Sequence, residues 1–166
     1  LLRPDGAPET AVHALPSLRG AARAAFLRTP PACGPVVGWA VGAALLLRRS
    51  AVDEIGGLDS SLFMYAEDLE WCWRAGRAGW EVRQAPEAVV RHVGNASGQQ
   101  RWGERREAVA IDNANEVVRR HLGPVRGGAW QALNALGAVR AGMTRDADRR
   151  RFWWRQVPAH LGAARR

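Results

Sequence analysis

The chain has 166 residues, 47% hydrophobic and 24% charged, which suits one soluble globular domain and excludes a disordered segment. Its net charge is +8, and all 24 basic residues are arginine, a bias that by itself carries no function. Cys33 and Cys72 are too few and too far apart for a zinc cluster or a disulfide framework, which points to a reducing cytosolic setting.

Charge is unevenly placed. Residues 1–100 hold 10 Arg against 10 acids, while residues 101–166 hold 14 Arg against 6 acids and carry the whole excess. A basic last third implies a polyanionic partner, such as anionic lipid, nucleic acid or a phosphorylated substrate, or else a solvated helical surface.

The chain opens on Leu1 without a methionine, and the expectation is a piece of a longer protein. Residues 1–35 hold six of the nine prolines and read as a surface-running connection with an Ala-rich helix over Leu18–Arg28. Val36 to Leu47 is apolar, partly β-branched and interrupted by Gly38 and Gly42. At 12 residues it falls short of the ~20 that a membrane-spanning helix needs, and it reads as a buried strand covered on both faces. Ser50 is placed to cap a short helix over Ala51–Ile55, which Gly56-Gly57 ends.

The next helix is expected over Glu67–Ala78, with Leu69, Cys72, Trp73 and Gly76 on one face. Strands are expected at Trp80–Arg83 and, after Pro86, at Ala88–His92. From Arg101 the pattern is helical: Glu107–His121 with Gly123-Pro124 as a stop, then Trp130–Ala141. A third helix is capped by Thr144 and carries Phe152, Trp153, Trp154 and Val157. Two regions follow, 1–100 and a basic helical 101–166.

One stretch concentrates the chemistry. Gly56-Gly57-Leu58-Asp59 and Phe63-Met64-Tyr65-Ala66-Glu67-Asp68 lead into Arg74, Ala78-Gly79-Trp80, Pro86 and His92, preceded by Gly42-Ala43-Ala44-Leu45-Leu46-Leu47-Arg48-Arg49. In order and spacing these motifs resemble family 2 glycosyltransferases, and more narrowly the rhamnosyl- and galactofuranosyltransferase-like members. The resemblance covers residues 36–97 and extends through Pro4-Asp5-Gly6 into 1–35. It implies an α/β fold, the C-terminal half of a GT-A domain followed by a helical region. It implies inverting transfer from a nucleotide-sugar donor to a hydroxyl of a glycan or lipid-linked acceptor in cell-envelope polysaccharide synthesis, at the cytoplasmic face of the plasma membrane. Asp68 would be the catalytic base, and His92 a ligand for Mn²⁺ or Mg²⁺ on the donor diphosphate. Glu67, Asp59, Trp39, Gly42, Tyr65 and Trp71 would contact substrate.

The residue types support such roles. A sugar hydroxyl is a weak nucleophile and needs one base in line with the anomeric carbon. At a helix N-terminus the ionised form of Asp68 is favoured, which holds it ready but weakens it as a base. Asp59 is placed to hydrogen-bond its own turn. Phe63, Tyr65, Trp71 and Trp73 have two readings, stacking on sugar rings or packing in the core. Gly38 and Gly42 either admit a ligand or pack. Gly98-Gln99-Gln100-Arg101-Trp102 is similar to the Gln-x-x-Arg-Trp signature of processive synthases, but Gly98 stands where its Gln belongs, so transfer of one or a few sugars is expected.

The family's donor-binding Asp-x-Asp is absent from the region where it belongs. The only such triplet, Asp146-Ala147-Asp148, reads as a helix first turn. The expectation is therefore an acceptor half that is inactive alone. Arg149-Arg150-Arg151 beside Phe152-Trp153-Trp154 suits an anionic membrane surface. The alternative is a non-catalytic basic binding module, but no helix-turn-helix, RNP or zinc signature supports nucleic acid.

Overall fold

The computed structural model describes residues 1–27, 34–94 and 96–162, so Arg28, Cys33 and Asn95 lie outside the described residues. The chain forms two compact units, Leu1–Leu15 with Ala32–Gly103, and Pro16–Pro31 with Glu104–Arg166.

The first unit is mixed α/β. Strand β1 (Val12–His13) pairs antiparallel with β3 (Trp39–Ala40), and β2 (Val36–Val37) pairs antiparallel with β4 (Val82–Arg83). The single buried strand expected over Val36–Leu47 is therefore divided. Gly38 is the point of division: it passes so close to the first segment that a Cβ would lie 2.0 Å from the Leu15 nitrogen. Its N–H donates to the His13 carbonyl at 2.9 Å, and the chain changes ladder there. After β3 a 3₁₀ turn over Gly42–Ala44 replaces extended backbone, and Leu46 is 98% exposed, so the run is not covered on both faces.

Helix α2 (Arg49–Ile55) begins one residue before Ser50, which therefore does not cap it, and Gly56 ends it at φ 83° with its N–H on the Val52 carbonyl. Helix α3 (Glu67–Arg77) supplies most of the core. Trp71, Cys72 and Ala75 pack on Ala51, with Trp39, Val52, Ile55, Trp80 and Val82 around them. The buried face is wider than the expected stripe and leaves Gly76 exposed. Burial of one such large side chain stabilises by about 1.5–3 kcal/mol.

The strand expected at Ala88–His92 reduces to a parallel bridge between Leu2 and Arg91, with the His92 N–H on the Leu2 carbonyl at 2.8 Å. Val89 is 66% and Val90 39% exposed, so among the described residues neither face of this segment is buried. Helix α4 (Ala96–Trp102) begins before the expected start of helical structure.

The second unit is helical. It comprises α1 (Leu18–Leu27), α5 (Arg106–Leu122), α6 (Pro124–Gly142) and α7 (Ala147–His160). Pro124, read as part of a stop, is also the first residue of α6, where its missing N–H has no consequence. Asp146, rather than Thr144, caps α7, accepting from the Asp148 and Arg149 N–H groups at 3.0 Å each. Small residues hold the helices close, with Ala21 and Ala25 of α1 and Ala135 and Ala138 of α6 buried. Arg140 donates to the Ala25 and Phe26 carbonyls at the end of α1, a tie to the prolyl-rich first stretch that no local pattern announces. Among the described residues, no helix is long and apolar enough to cross a membrane.

Candidate active site

The polypeptide enters α3 under strain. Tyr65 and Ala66 both adopt left-handed backbone, at φ 71° and 69°, a conformation that costs about 1–2 kcal/mol for a residue with a side chain. Strain of this kind marks functional sites more often than ordinary turns. It delivers Glu67 and Asp68 to the N-terminus of α3, against the 3₁₀ turn that follows β3.

Asp68 is 8% exposed. Its Oδ2 accepts the Gly42 N–H at 2.7 Å, and its Oδ1 accepts the Leu69 N–H at 2.7 Å. Burial pushes its pKa above the usual carboxylate range, and the two amide donors and the nearby His13 offset this only in part. Position at a helix N-terminus alone predicts a weakened base. Burial outweighs it, and Asp68 is a stronger base than that expectation allows.

Glu67 is half-buried, and its Oε2 is buried without a hydrogen-bond partner among the described residues. Its pKa is also raised, by burial first and by the charge of Asp68 after it. Two adjacent carboxyls thus share one partly dry region, and the charge of Asp68 makes ionisation of Glu67 less favourable.

His13 joins them from β1. Its ring stacks on Trp39 with centroids 4.6 Å apart and planes at 22°, as the β1–β3 register dictates. Burial lowers its pKa, while the charge of Asp68 raises it. His13→Phe keeps the stack and removes the cation, so the pKa of Asp68 should rise further. The acidic limb of any Asp68-dependent activity should then move to higher pH, with little change in thermal stability. An unmoved limb would mean that His13 exerts no field on the carboxylate.

The structure therefore brings Gly42, Glu67 and Asp68 together, with Trp39 tied to them through His13. An alanine Cβ at position 42 would sit 3.5 Å from Asp68, an ordinary contact, so Gly42 contributes its N–H rather than its lack of a side chain. Asp59 turns its own loop, accepting the Ser61 N–H at 2.9 Å. Trp71 does not present a ring face: it is 5% exposed and donates its indole N–H to the Gly56 carbonyl at 2.8 Å. Trp73 is likewise in the core. Tyr65 instead meets Trp102, at 5.6 Å between centroids, and Phe63 lies 6.4 Å from the same indole. Phe63 is 74% exposed, with the Arg101 guanidinium 5.7 Å from its ring.

His92 has a separate setting. Its Nδ1 lies 2.9 Å from Glu9 Oε2, and both side chains are about one-third exposed. A histidine that ligates a metal usually gives its other ring nitrogen to a carboxylate, and this pair has that form. Among the described residues, no group of three or more His, Cys, Asp or Glu side chains is placed to hold a metal ion. His92 and Glu9 by themselves supply two groups, fewer than a metal site needs.

Sequence reasoning missed His13, Glu9 and Trp102. His13 and Glu9 stand alone in a proline-rich stretch and gain meaning only through long-range pairing. Trp102 was visible only as part of an incomplete signature.

The model of the glycosyl transferase family group 2 matches residues 22–156. Over 64 residues the chain is 44% identical to an N-acetylglucosaminyl-diphospho-decaprenol L-rhamnosyltransferase of Mycobacterium tuberculosis, 38% of this chain and 21% of that protein. It is 38% identical over 56 residues to the pre-mycofactocin glycosyltransferase of the same species, 34% of this chain and 12% of that one. Over 51 residues it is 37% identical to the rhamnosyltransferase WbbL of Escherichia coli K12, 31% of this chain and 19% of that protein. The matches thus span about a fifth or less of the length of these curated relatives. No solved structure matches.

Proposed function

The chain belongs to glycosyl transferase family group 2, a family of enzymes, and we propose that it supplies the acceptor side and the base of an inverting sugar transfer. The observation that carries this reading is Asp68, a buried carboxylate of raised proton affinity held by the Gly42 and Leu69 amides at the strained entrance of α3. Such a group can take the proton of an acceptor hydroxyl as that oxygen attacks the anomeric carbon from the side opposite the leaving diphosphate. Positioning by two amides supports the in-line geometry. Glu67 Oε2 has unused hydrogen-bonding capacity and binds a second acceptor hydroxyl. The exposed Phe63 face and Trp102, with Tyr65 against it, stack on the acceptor sugar.

The donor is a nucleotide-activated sugar, rhamnose by analogy with the relatives' names, and the acceptor is a polyprenyl-diphosphate-linked sugar of the cell envelope. Asp146 caps α7, so a helix start accounts for Asp146-Ala147-Asp148, and on this reading a donor-binding segment other than this triplet completes the enzyme. On the same reading the enzyme works at the cytoplasmic side of the membrane, and within the helical unit Phe152 and Trp154 of α7, each 47% exposed, supply an edge suited to lipid.

A divalent Mn²⁺ or Mg²⁺, held in part by His92, would neutralise charge on the departing diphosphate when bound. Glu9 orients the His92 ring, so Glu9→Gln should weaken Mn²⁺ binding by about 10–100-fold in the enzyme with its donor-binding segment and nucleoside diphosphate present. Electron paramagnetic resonance of free Mn²⁺ measures this directly, and unchanged affinity would remove His92 from the metal site.

The test of the whole reading is the anomeric configuration of the product, read by NMR after transfer from the nucleotide sugar to a polyprenyl-diphosphate sugar. A single displacement gives inversion. A retained configuration would contradict it.

A further inference from the structure

Helix α7 has two unlike sides. Trp153, Val157, Ala159 and His160 are buried or half-buried, whereas Arg150, Trp154, Pro158 and Leu161 recur at i, i+4, i+8 and i+11 and are all exposed. The Trp154 indole is fixed at the corner where α6 gives way to α7. A Cβ on Gly142, the last residue of α6, would lie 3.1 Å from its Nε1, yet 47% of Trp154 stays open to solvent. Met143 follows Gly142 directly and is 77% exposed. One corner thus presents a tryptophan and a methionine outward.

Arginines surround it. Residues 145–155 hold five Arg against two Asp. Asp146 is engaged in the α7 cap, and Arg155 pairs with Glu104 at 3.2 Å. Arg145, Arg150 and Arg151 are exposed and make no ion pair among the described residues. Arg150 and Arg151 also stand near the start of α7, where the helix dipole disfavours cations. Helix stability does not account for them, whereas an external anion does.

Resting on the reading of the enzyme as one that works at a membrane, we propose that the α6–α7 corner docks on anionic phospholipid. Trp154 and Met143 enter the boundary between headgroups and acyl chains, and Arg145, Arg150 and Arg151 lie on headgroup phosphates. Nucleic acid would satisfy the arginines but offers no apolar layer for Met143.

Flotation of the full chain with phosphatidylglycerol-containing vesicles tests the proposal. Binding is expected to weaken as salt rises and to be absent with phosphatidylcholine alone. Arg150→Gln should lower affinity about fivefold, and Arg150→Gln with Arg151→Gln about thirtyfold. Both positions are exposed, so the circular dichroism spectrum should not change. Arg126→Gln is the control, because Arg126 is exposed near the other end of α6, about 25 Å from Met143. Its affinity should equal that of the unaltered chain. Insertion is read separately: brominated acyl chains should quench tryptophan emission, and Trp154→Phe should lose most of that quenching.

Equal losses in Arg126→Gln and Arg150→Gln overturn the proposal, since the charge would then act diffusely. Binding to phosphatidylcholine alone overturns it, and so does equally tight binding of duplex DNA. Quenching that is absent, or unchanged in Trp154→Phe, overturns it too. These outcomes leave the role of Asp68 untouched, because transfer to a water-soluble acceptor analogue needs no membrane. A retained product configuration would in turn leave the lipid binding untouched.

Discussion

Asp68→Asn is expected to lower the transfer rate by about 10²–10⁴-fold, the usual contribution of a general base, while leaving thermal stability unchanged or higher. The two halves of this expectation come from one cause. Burial raises the pKa of Asp68, so the folded state holds its proton to higher pH than the unfolded chain does. A raised carboxylate contributes stability that is fully present below the unfolded pKa and is lost as pH rises through the folded one. At neutral pH the ionised, buried group therefore costs stability. Asparagine keeps an oxygen for the Gly42 N–H, gives up the acceptor for the Leu69 N–H and removes the charge, whose burial is the larger cost. It also removes the charge that raises Glu67. A stability–activity trade of this kind is characteristic of catalytic positions. Differential scanning calorimetry beside a transfer assay checks both halves. A variant that is inactive because it is unfolded would show Asp68 to be structural.

Arg74→Ala is expected to cost about 2–3 kcal/mol, between the cost of losing a surface bridge and that of breaking a fully buried ion pair from one side. Arg74 Nε donates to both carboxylate oxygens of Glu70 at 2.9 Å, and Glu70 is only 7% exposed. One terminal nitrogen donates to the Gly57 carbonyl at 2.7 Å and the other to the Ile55 carbonyl. The same turn receives the Trp71 indole N–H at Gly56. Arg74 thus ties the end of α2 and the glycine turn to α3, using the fork geometry that lysine lacks. Arg74→Lys should recover only part of the loss. Urea unfolding followed by tryptophan fluorescence measures it, and a loss below about 1 kcal/mol would place the pair among ordinary surface bridges.

Local signals located α3 and its carboxylates well, because an amphipathic helix announces its own period and Gly56 marks the end of α2. The Asx turn at Asp59 was equally legible. What failed depended on distant partners. The apolar run over Val36–Leu47 looks like one strand, yet close approach of Gly38 to Leu15 divides it between two ladders. His13 reaches Asp68 only through the β1–β3 register, and Glu9 meets His92 across 83 positions. Trp71 and Tyr65 looked alike as aromatics near a helix start, but tertiary packing put one in the core and the other against Trp102. The base strength of Asp68 was misjudged for the same reason. A helix terminus is visible in sequence, whereas burial is a property of the fold.

The central claim is that the Asp68 carboxylate must be ionised for transfer. Carboxyl-carbon NMR of aspartate-labelled enzyme, with Asp68→Asn to assign the resonance, gives its titration directly. The expected midpoint lies above the ordinary aspartate range and coincides with the acidic limb of kcat/KM. An ordinary midpoint, or a rate limb that does not follow the Asp68 resonance, would contradict it.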